Sequence, residues 1–114
     1  MSISNKTLDE RLNESAKIKK KYPDKIPVII KKSSLEKNLK EIDREKYLIP
    51  FDLLISQLHY IIRKRINLNA EKAIYLFCNN KLISTSESVG NIYNGNKNED
   101  GFLYIEYTAE NTFG

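Results

Sequence analysis

Residues 46–50 read KYLIP, and residues 51–65 continue as FDLLISQLHYIIRKR. The first run is short and apolar, and it ends in Pro50, a residue type that lacks an amide hydrogen and is confined to sheet edges and strand ends. In the second run, apolar residues recur at helical spacing, which predicts a helix over about residues 55–66. An edge strand followed by an amphipathic helix predicts a groove that binds an extended peptide, because the strand edge offers free backbone hydrogen-bonding groups.

Outward from this stretch, the sequence predicts a compact α+β domain. The β-branched run at residues 26–30 is typical of a strand buried on both faces. Residues 31–45 are predicted to form a loop with a turn of helix near 35–39, and residues 108–114 a flexible tail. The remaining predicted elements are a helix over 7–21, strands over 74–78 and 102–107, a short return strand at 81–83 and a helical turn or two near 89–93. This order is that of a β-grasp, in which a helix crosses one face of a mixed sheet.

The charge of the chain is uneven along its length. Its 114 residues carry a formal net charge of +4, and most of the lysines and arginines lie before residue 66. A basic half is typical of proteins that bind nucleic acid, an anionic membrane surface or acidic peptides. Alternatively, the cations at residues 19–21 and 63–65 are solvated helix ends, where they interact favourably with the helix dipole. The sequence contains no motif of an RNA-binding sheet, so nucleic acid is not an expected partner.

The sequence carries no pattern of catalytic or metal-binding residues. The single histidine, His59, has no second histidine or cysteine near it that could complete a metal site. The single cysteine, Cys78, lies in an apolar strand, where a thiol is unreactive, and it cannot form an internal disulfide. We also find no signal peptide and no apolar run of about 18 residues. These features predict a cytoplasmic protein that is not an enzyme and that needs no metal or cofactor.

Six strings of the sequence, taken in order, resemble one known family. They are IKKKYPDKIPVII at 18–30, KYLIP at 46–50, IIRKR at 61–65, FCNN at 77–80, EDGFLYIEY at 99–107 and TFG at 112–114. Together they resemble the autophagy-related ubiquitin-like modifiers, the family of the GABA-receptor-associated protein and the microtubule-associated-protein light chain. The resemblance implies a single ubiquitin-like β-grasp domain over residues 1–114, with a mixed four-stranded sheet. It also implies two additional N-terminal helices within residues 1–24, a core at 25–107 and the tail at 108–114.

The resemblance further implies that the chain is a modifier and that Gly114 is its point of attachment. Activating and conjugating enzymes of autophagy would join the carboxyl group of this glycine to the amine of phosphatidylethanolamine. A cysteine protease would trim the precursor and deconjugate the product. Glycine suits this role, because it has no side chain to obstruct attack at its carboxyl carbon. The conjugated chain, a monomer on the autophagosome membrane, would recruit cargo receptors and adaptors that carry a short aromatic-x-x-aliphatic motif.

The resemblance also divides the predicted groove into two pockets surrounded by cations. The pocket for the aromatic residue of the motif comprises Glu14, Ile18, Pro27, Lys46, Leu48 and Phe102. The pocket for the aliphatic residue comprises Tyr47, Ile49, Pro50, Leu53, Leu58 and Ile61. Acidic residues that flank the motif are expected to contact Lys46 and also Lys25, Arg44 and Arg65. For each apolar residue of these sets, packing in the core is the alternative role.

Three positions beside the groove depart from the family pattern. Phe51 and Leu54 replace small polar residues, and Leu58 replaces a frequent phenylalanine. The leucine at position 54 removes a side chain that could cap the following helix. Two other functions stay open on the sequence alone. One is an adaptor that binds peptides or microtubules without being conjugated, and the other is a modifier attached to protein lysines.

Overall fold

The computed structural model describes residues 3–109, which form one mixed sheet with helices against both of its faces. The predicted α+β class is confirmed. The helices of this part of the chain are all too short or too polar to span a bilayer. In chain order, a 3-10 helix at Ile3–Asn5 is followed by α1 (Leu8–Lys21), β1 (Lys25–Lys32), β2 (Lys46–Pro50), α2 (Ile55–Arg65), β3 (Tyr75–Cys78), β4 (Lys81–Leu82), α3 (Val89–Asn96) and β5 (Leu103–Thr108).

The sheet has the strand order β2-β1-β5-β3-β4, with β1 and β5 parallel and the other pairs antiparallel. β2 is therefore an edge strand, as its proline predicts. Five strands are present where the resemblance implied four, and the additional one is β4, the short return strand. Asn79 and Asn80 form the turn before β4, and both have positive φ, 52° and 63°. This conformation is the one that two-residue hairpin loops require.

β1 is buried on both faces, as its run of β-branched residues predicts. Ile26, Val28 and Ile30 point into the main core beneath α2. Ile29 points the other way and packs with Ile3 and Phe102 in a second, smaller cluster on the α1 side. The side chains of β1 thus separate two apolar layers, and Phe102 lies in the one that adjoins the predicted aromatic pocket.

Within residues 3–24, the two additional N-terminal helices that the resemblance implied are a short 3-10 helix and the α-helix α1. α1 begins after Thr7, whose hydroxyl accepts the N–H of Glu10 at 3.2 Å while the Glu10 carboxylate accepts the N–H of Thr7 at 3.1 Å. This reciprocal capping box satisfies two amides that would otherwise lack partners. The 3-10 helix is short but anchored, because Ile3 is buried in the cluster with Ile29 and Phe102.

Two sequence predictions about irregular segments are corrected by the structure. No turn of helix forms near residues 35–39, because the Glu36 carboxylate accepts the N–H groups of Asn38 and Leu39 in place of helical carbonyls. The tail does not begin at residue 108, because Thr108 is the last residue of β5 and is fully buried. Residues 110–114, including Gly114, lie outside the described part of the chain.

α1 is attached to the sheet through Asp100, a contact that the sequence analysis did not predict. The buried Asp100 carboxylate pairs with the Arg11 guanidinium at 3.2 Å and accepts the Tyr104 hydroxyl and the N–H of Phe102. The hydroxyl of Ser15, on the next turn of α1, donates to the carbonyl of Asp100 at 2.6 Å. We call this set of contacts the Asp100 latch. It positions α1 beside the start of β5.

The N-cap residue of α2 is Leu54, a residue type that cannot cap a helix with its side chain. Leu54 offers no side-chain acceptor, but carbonyls of Thr85 and Glu87 accept the first two helical N–H groups at 3.0 and 2.8 Å. We therefore expect Leu54→Ser to change the free energy of unfolding by no more than about 0.5 kcal/mol, less than the ~1 kcal/mol typical of an N-cap. Urea denaturation measures this.

The matched control is the N-cap of α3. The Ser88 hydroxyl accepts the N–H of Asn91 at 3.1 Å, so Ser88→Ala is expected to lower the free energy of unfolding by about 1 kcal/mol. A stabilisation by Leu54→Ser as large as that loss would mean that the 85–87 loop does not substitute for a cap.

Candidate functional site

The outer edge of β2 is where a further strand could pair with the sheet. Within residues 3–109, β2 pairs only with β1. The N–H of Ile30 donates a hydrogen bond to the carbonyl of Glu45 at 2.8 Å, so these two residues form a hydrogen-bonded pair. Along two antiparallel strands, every second pair is hydrogen-bonded, and the residues between point their backbone groups outward. The backbone groups of Lys46 and Leu48 fall at the positions that point away from β1. An added peptide strand would therefore form its backbone hydrogen bonds with these two residues.

The side chains of β2 alternate between the two faces of the sheet. Lys46 and Leu48 point to the α1 side and line a pocket there. Ile49 points to the other side and belongs to the main core beneath α2, and Tyr47 packs against that core while also reaching the pocket. A peptide along the edge of β2 would consequently have side chains available on both faces of the sheet.

A surface pocket of about 560 Å³ opens between α1, β2 and the residue that precedes β5. Its volume lies within the range of ligand-binding pockets. Four of the six residues predicted for the aromatic pocket line it; the other two are Glu14, which contacts Lys46, and Pro27, which is buried opposite Leu48. The lining residues are Ile18, Arg44, Lys46, Tyr47, Leu48 and Phe102.

Glu14 joins the N-terminal segment to the edge strand at the rim of this pocket. Its carboxylate accepts hydrogen bonds from the ammonium groups of Lys46, at 2.7 Å, and of Lys6. Partial burial raises the pKa of Glu14, but the hydrogen bonds from Lys46 and Lys6 outweigh it, so the pKa lies below its ordinary value of 4.5. Glu14 is therefore ionised at neutral pH and holds Lys46 at the pocket by charge.

On the α2 side of β2, the residues predicted for the aliphatic pocket divide into core and surface. Ile49 and Leu58 are core residues, with 5% and 1% of their surface exposed. Leu53 is partly buried against the same core, and Pro50 is half-buried. Ile61 is 38% exposed. A partner on this side would therefore contact Ile61 directly, while the two core residues would form only the floor beneath it.

Phe51 adds exposed apolar surface next to Pro50, at the end of the edge strand. Its side chain is 42% exposed, and its ring lies directly over Gly90 at the start of α3. A Cβ atom at Gly90 would lie 2.3 Å from that ring, so the glycine leaves the space that the ring occupies. In the sequence, Phe51 is a departure from the family pattern, but its contact with Gly90 was not predicted. The sequence feature that indicates this contact is a glycine in the first turn of a helix.

The cations assigned to acidic flanks of a motif differ in their surroundings. Arg65, at the end of α2, donates two hydrogen bonds to the Asp43 carboxylate at 3.0 and 3.1 Å and lies 5.4 Å from the centre of the Tyr47 ring. Arg44 lines the pocket, and Lys25 lies opposite Pro50 in the sheet. Asp43 was not predicted as part of the site. Because exposed ion pairs are weak, a peptide carboxylate can displace Asp43 from Arg65 at little cost.

His59 and Cys78 occupy structural positions. The Nε2 atom of His59 lies 2.9 Å from the carbonyl oxygen of Ile74 and links α2 to the segment before β3. Cys78 is buried in β3, and burial raises the pKa of its thiol to about 11, which leaves the nucleophilic thiolate scarce at neutral pH. Within residues 3–109, no three His, Cys, Asp or Glu side chains are grouped so that they could hold a metal ion.

Comparisons with known proteins agree on one family. The model of a family described as "Autophagy protein Atg8 ubiquitin like" matches residues 10–114. The chain is 50% identical over 112 residues to Autophagy-related protein 8a of Arabidopsis thaliana, an alignment that covers 98% of this chain and 90% of that protein. It is also 50% identical over 107 residues to Autophagy-related protein 8A of Oryza sativa subsp. japonica, covering 94% and 89% of the two chains.

A solved structure extends the similarity to three dimensions. The crystal structure of Trypanosoma brucei ATG8 superposes with a TM-score of 0.88 at 37% sequence identity, covering 98% of this chain and 96% of that one. The match to the family model spans every residue assigned to the groove, from Glu14 to Phe102, and also residue 114.

Proposed function

Because this chain belongs to the Atg8 family of autophagy-related ubiquitin-like proteins, we propose that it is a modifier joined through Gly114 to phosphatidylethanolamine. The conjugated form resides on the autophagosome membrane and the free form in the cytoplasm. In both forms the groove at β2 binds cargo receptors and adaptors that carry an aromatic-x-x-aliphatic motif. Attachment and docking use different parts of one monomer, so a partner can bind while the chain is anchored.

The observation that carries the docking proposal is the outer edge of β2, which is unpaired within residues 3–109 and has apolar surface on both sides. In an extended peptide, residues three positions apart point to opposite faces. An aromatic-x-x-aliphatic motif paired with Lys46 and Leu48 would therefore direct its aromatic residue into the pocket beside Ile18. Its aliphatic residue would point to the α2 side, toward Ile61. The spacing of the motif thus fits two sites on opposite faces of the same strand.

The cations around the groove select acidic partners. Lys46 and Arg65 each already contact a carboxylate of the chain, Glu14 and Asp43. Acidic residues on either side of a motif would replace these internal partners. The exchange adds modestly to affinity, and it favours acidic over basic peptides and speeds their association.

Attachment requires chemistry that partner enzymes supply. The carboxylate of Gly114, once terminal, attacks ATP to give an acyl adenylate and pyrophosphate. The thiol of the activating enzyme displaces AMP to form a thioester, which a second thiol on the conjugating enzyme receives by exchange. The neutral lipid amine then attacks the thioester carbonyl, forming an amide and releasing the thiol, which takes up the proton that the amine loses. A deconjugating cysteine protease hydrolyses this amide.

A reconstituted reaction tests the proposal. The chain is incubated with the family's activating and conjugating enzymes, ATP and vesicles that contain phosphatidylethanolamine. We expect a product heavier by one phosphatidylethanolamine less one water, which the family's protease reverses. A chain that ends at Phe113 is the control and should give no product. Absence of the lipid product with the intact chain contradicts the proposal, and a product on protein lysines in mass spectra would identify the alternative substrate.

A further inference from the structure

The Glu36 side chain joins the loop after β1 to the end of β5. Only 8% of this residue is exposed, yet its carboxylate has four hydrogen-bond donors around it. Oε2 accepts the N–H groups of Asn38 at 2.8 Å and Leu39 at 3.2 Å, within its own loop. Oε1 accepts the hydroxyl of Thr108 at 2.9 Å and the N–H of Ala109 at 2.7 Å. We call this arrangement the Glu36 clamp.

The clamp extends one residue beyond the sheet, because Thr108 still pairs with Tyr75 of β3 whereas Ala109 follows the end of β5. The pairing of β5 with β1 ends at Lys32 and Tyr107, followed by a hydrogen bond from the N–H of Ser33 to the Tyr107 carbonyl. The amide of Ala109 lies beyond this point, and the Glu36 carboxylate is its partner. The Tyr107 hydroxyl also donates to the carbonyl of Lys40 at 2.6 Å. The loop at residues 33–40 therefore fastens Ala109, the first residue after β5, to the fold.

A carboxylate suits this position better than any neutral group of the same shape. An ionised glutamate accepts hydrogen bonds with both oxygens and donates none, which matches donors on both sides. Burial raises the pKa of Glu36, but the hydrogen bonds from Ala109, Asn38, Thr108 and Leu39 outweigh it, so the pKa lies below its ordinary value of 4.5. The carboxylate is consequently charged at neutral pH.

We propose that Glu36 is a positioning residue for the conjugation of Gly114, an inference that rests on the proposed function. The clamp fixes the position of Ala109, five residues before Gly114. Five extended residues span at most ~17 Å, so the clamp also limits the region in which the glycine carboxylate can be found. An activating enzyme that docks on the fold thereby meets the carboxylate near its active site, with less backbone freedom left to lose on binding.

Replacing Glu36 with glutamine should release the clamp while leaving the side-chain shape unchanged. The amide group of glutamine must point its NH₂ either at the N–H groups of the loop or at the N–H of Ala109, and in both cases donors face each other. We expect hydrogen exchange at the Ala109 amide to accelerate at least about tenfold. We also expect the KM for thioester formation with the activating enzyme to rise about tenfold with kcat unchanged, because about one more residue must be ordered on binding.

The control is Glu41→Gln, which makes the same change of charge in the same loop. The Glu41 side chain is 83% exposed and lies 3.6 Å from Lys32, so this variant should keep the KM and the exchange rate of the original chain. Thr108→Val removes one hydrogen bond to Glu36 with little change of shape, and should raise KM in the same direction by about threefold. This second variant also serves if Glu36→Gln fails to fold, which circular dichroism would reveal.

The outcomes separate this inference from the function on which it rests. Faster exchange at Ala109 with an unchanged KM would make Glu36 a purely structural residue and overturn the inference. Unchanged exchange at Ala109 would overturn the clamp itself. If the original chain forms no thioester at all, the proposed function fails and the positioning role fails with it. A higher KM in both the Glu36→Gln and Thr108→Val variants, but not in Glu41→Gln, is the result that the inference requires.

Discussion

Replacing Leu48 with aspartate is expected to weaken the binding of an aromatic-x-x-aliphatic peptide by at least about 100-fold while the fold persists, as for a residue at the centre of an interface. The Leu48 side chain lines the pocket between α1 and β2, and a bound aromatic ring would cover it. A carboxylate at that position would be desolvated beneath the ring and would replace its apolar contact surface. Because Leu48 is 43% exposed on an edge strand, the substitution leaves the buried core unchanged.

Isothermal titration calorimetry with a synthetic motif peptide measures this effect. Leu82→Asp is the matched control, because Leu82 is an exposed leucine, 54% exposed, on β4 at the opposite edge of the same sheet. We expect the affinity of this control to match that of the original chain. Equal affinities for the Leu48 variant and the original chain would refute the assignment of the groove to β2. A similar loss in both variants would indicate a general effect of added charge.

Replacing Asp100 with alanine is expected to have the largest effect on stability, lowering the free energy of unfolding by about 3 kcal/mol. Asp100 is fully buried, and its carboxylate is the partner of the Arg11 guanidinium, the Tyr104 hydroxyl and the N–H of Phe102. Alanine leaves the hydroxyl and the N–H group without that acceptor and the guanidinium without its ion-pair partner. Unpaired donors in a buried position retain their full desolvation penalty. Urea denaturation followed by circular dichroism gives the free energy.

Glu99→Ala is the control for the Asp100 variant, because it removes one negative charge from the adjacent position. Glu99 is exposed, so its loss should change the free energy of unfolding by no more than about 0.5 kcal/mol. A loss for Asp100→Ala as small as that for Glu99→Ala would show that the latch does not hold α1. Since α1 supplies Ile18 to the pocket, the Asp100 variant should also bind motif peptides more weakly than the control.

The elements that local sequence determines were predicted well. Pro50 places β2 at a sheet edge, the run at residues 26–30 forms a strand buried on both faces, and Asn79 and Asn80 adopt the positive φ of a hairpin. The family resemblance is confirmed by the comparisons. These features depend on backbone geometry and on side chains close together in the chain, so a pattern within a few residues carries the information.

The contacts that sequence analysis missed join residues far apart in the chain. Asp100 pairs with Arg11, and Glu36 with Thr108, and in each case the acidic residue stands in a polar segment that is typical of a solvated loop. Nothing within these segments indicates that their carboxylates are buried, because the burying partners lie on other elements. The apolar pocket residues were found only through the family resemblance, since Ile18, Leu48 and Phe102 belong to three separate segments.

The parallel pairing of β1 with β5 has a consequence for the synthesis of the chain. Val28 pairs with Leu103, so the two strands at the centre of the sheet come from nearly opposite ends of the sequence. Most of the chain must therefore be synthesised before the central pair can close, and contacts so distant in sequence slow folding. A nascent chain that stops before residue 100 lacks Phe102 and the latch as well as the central pair. Incomplete chains therefore cannot form the groove, and they cannot compete with the finished protein for its partners.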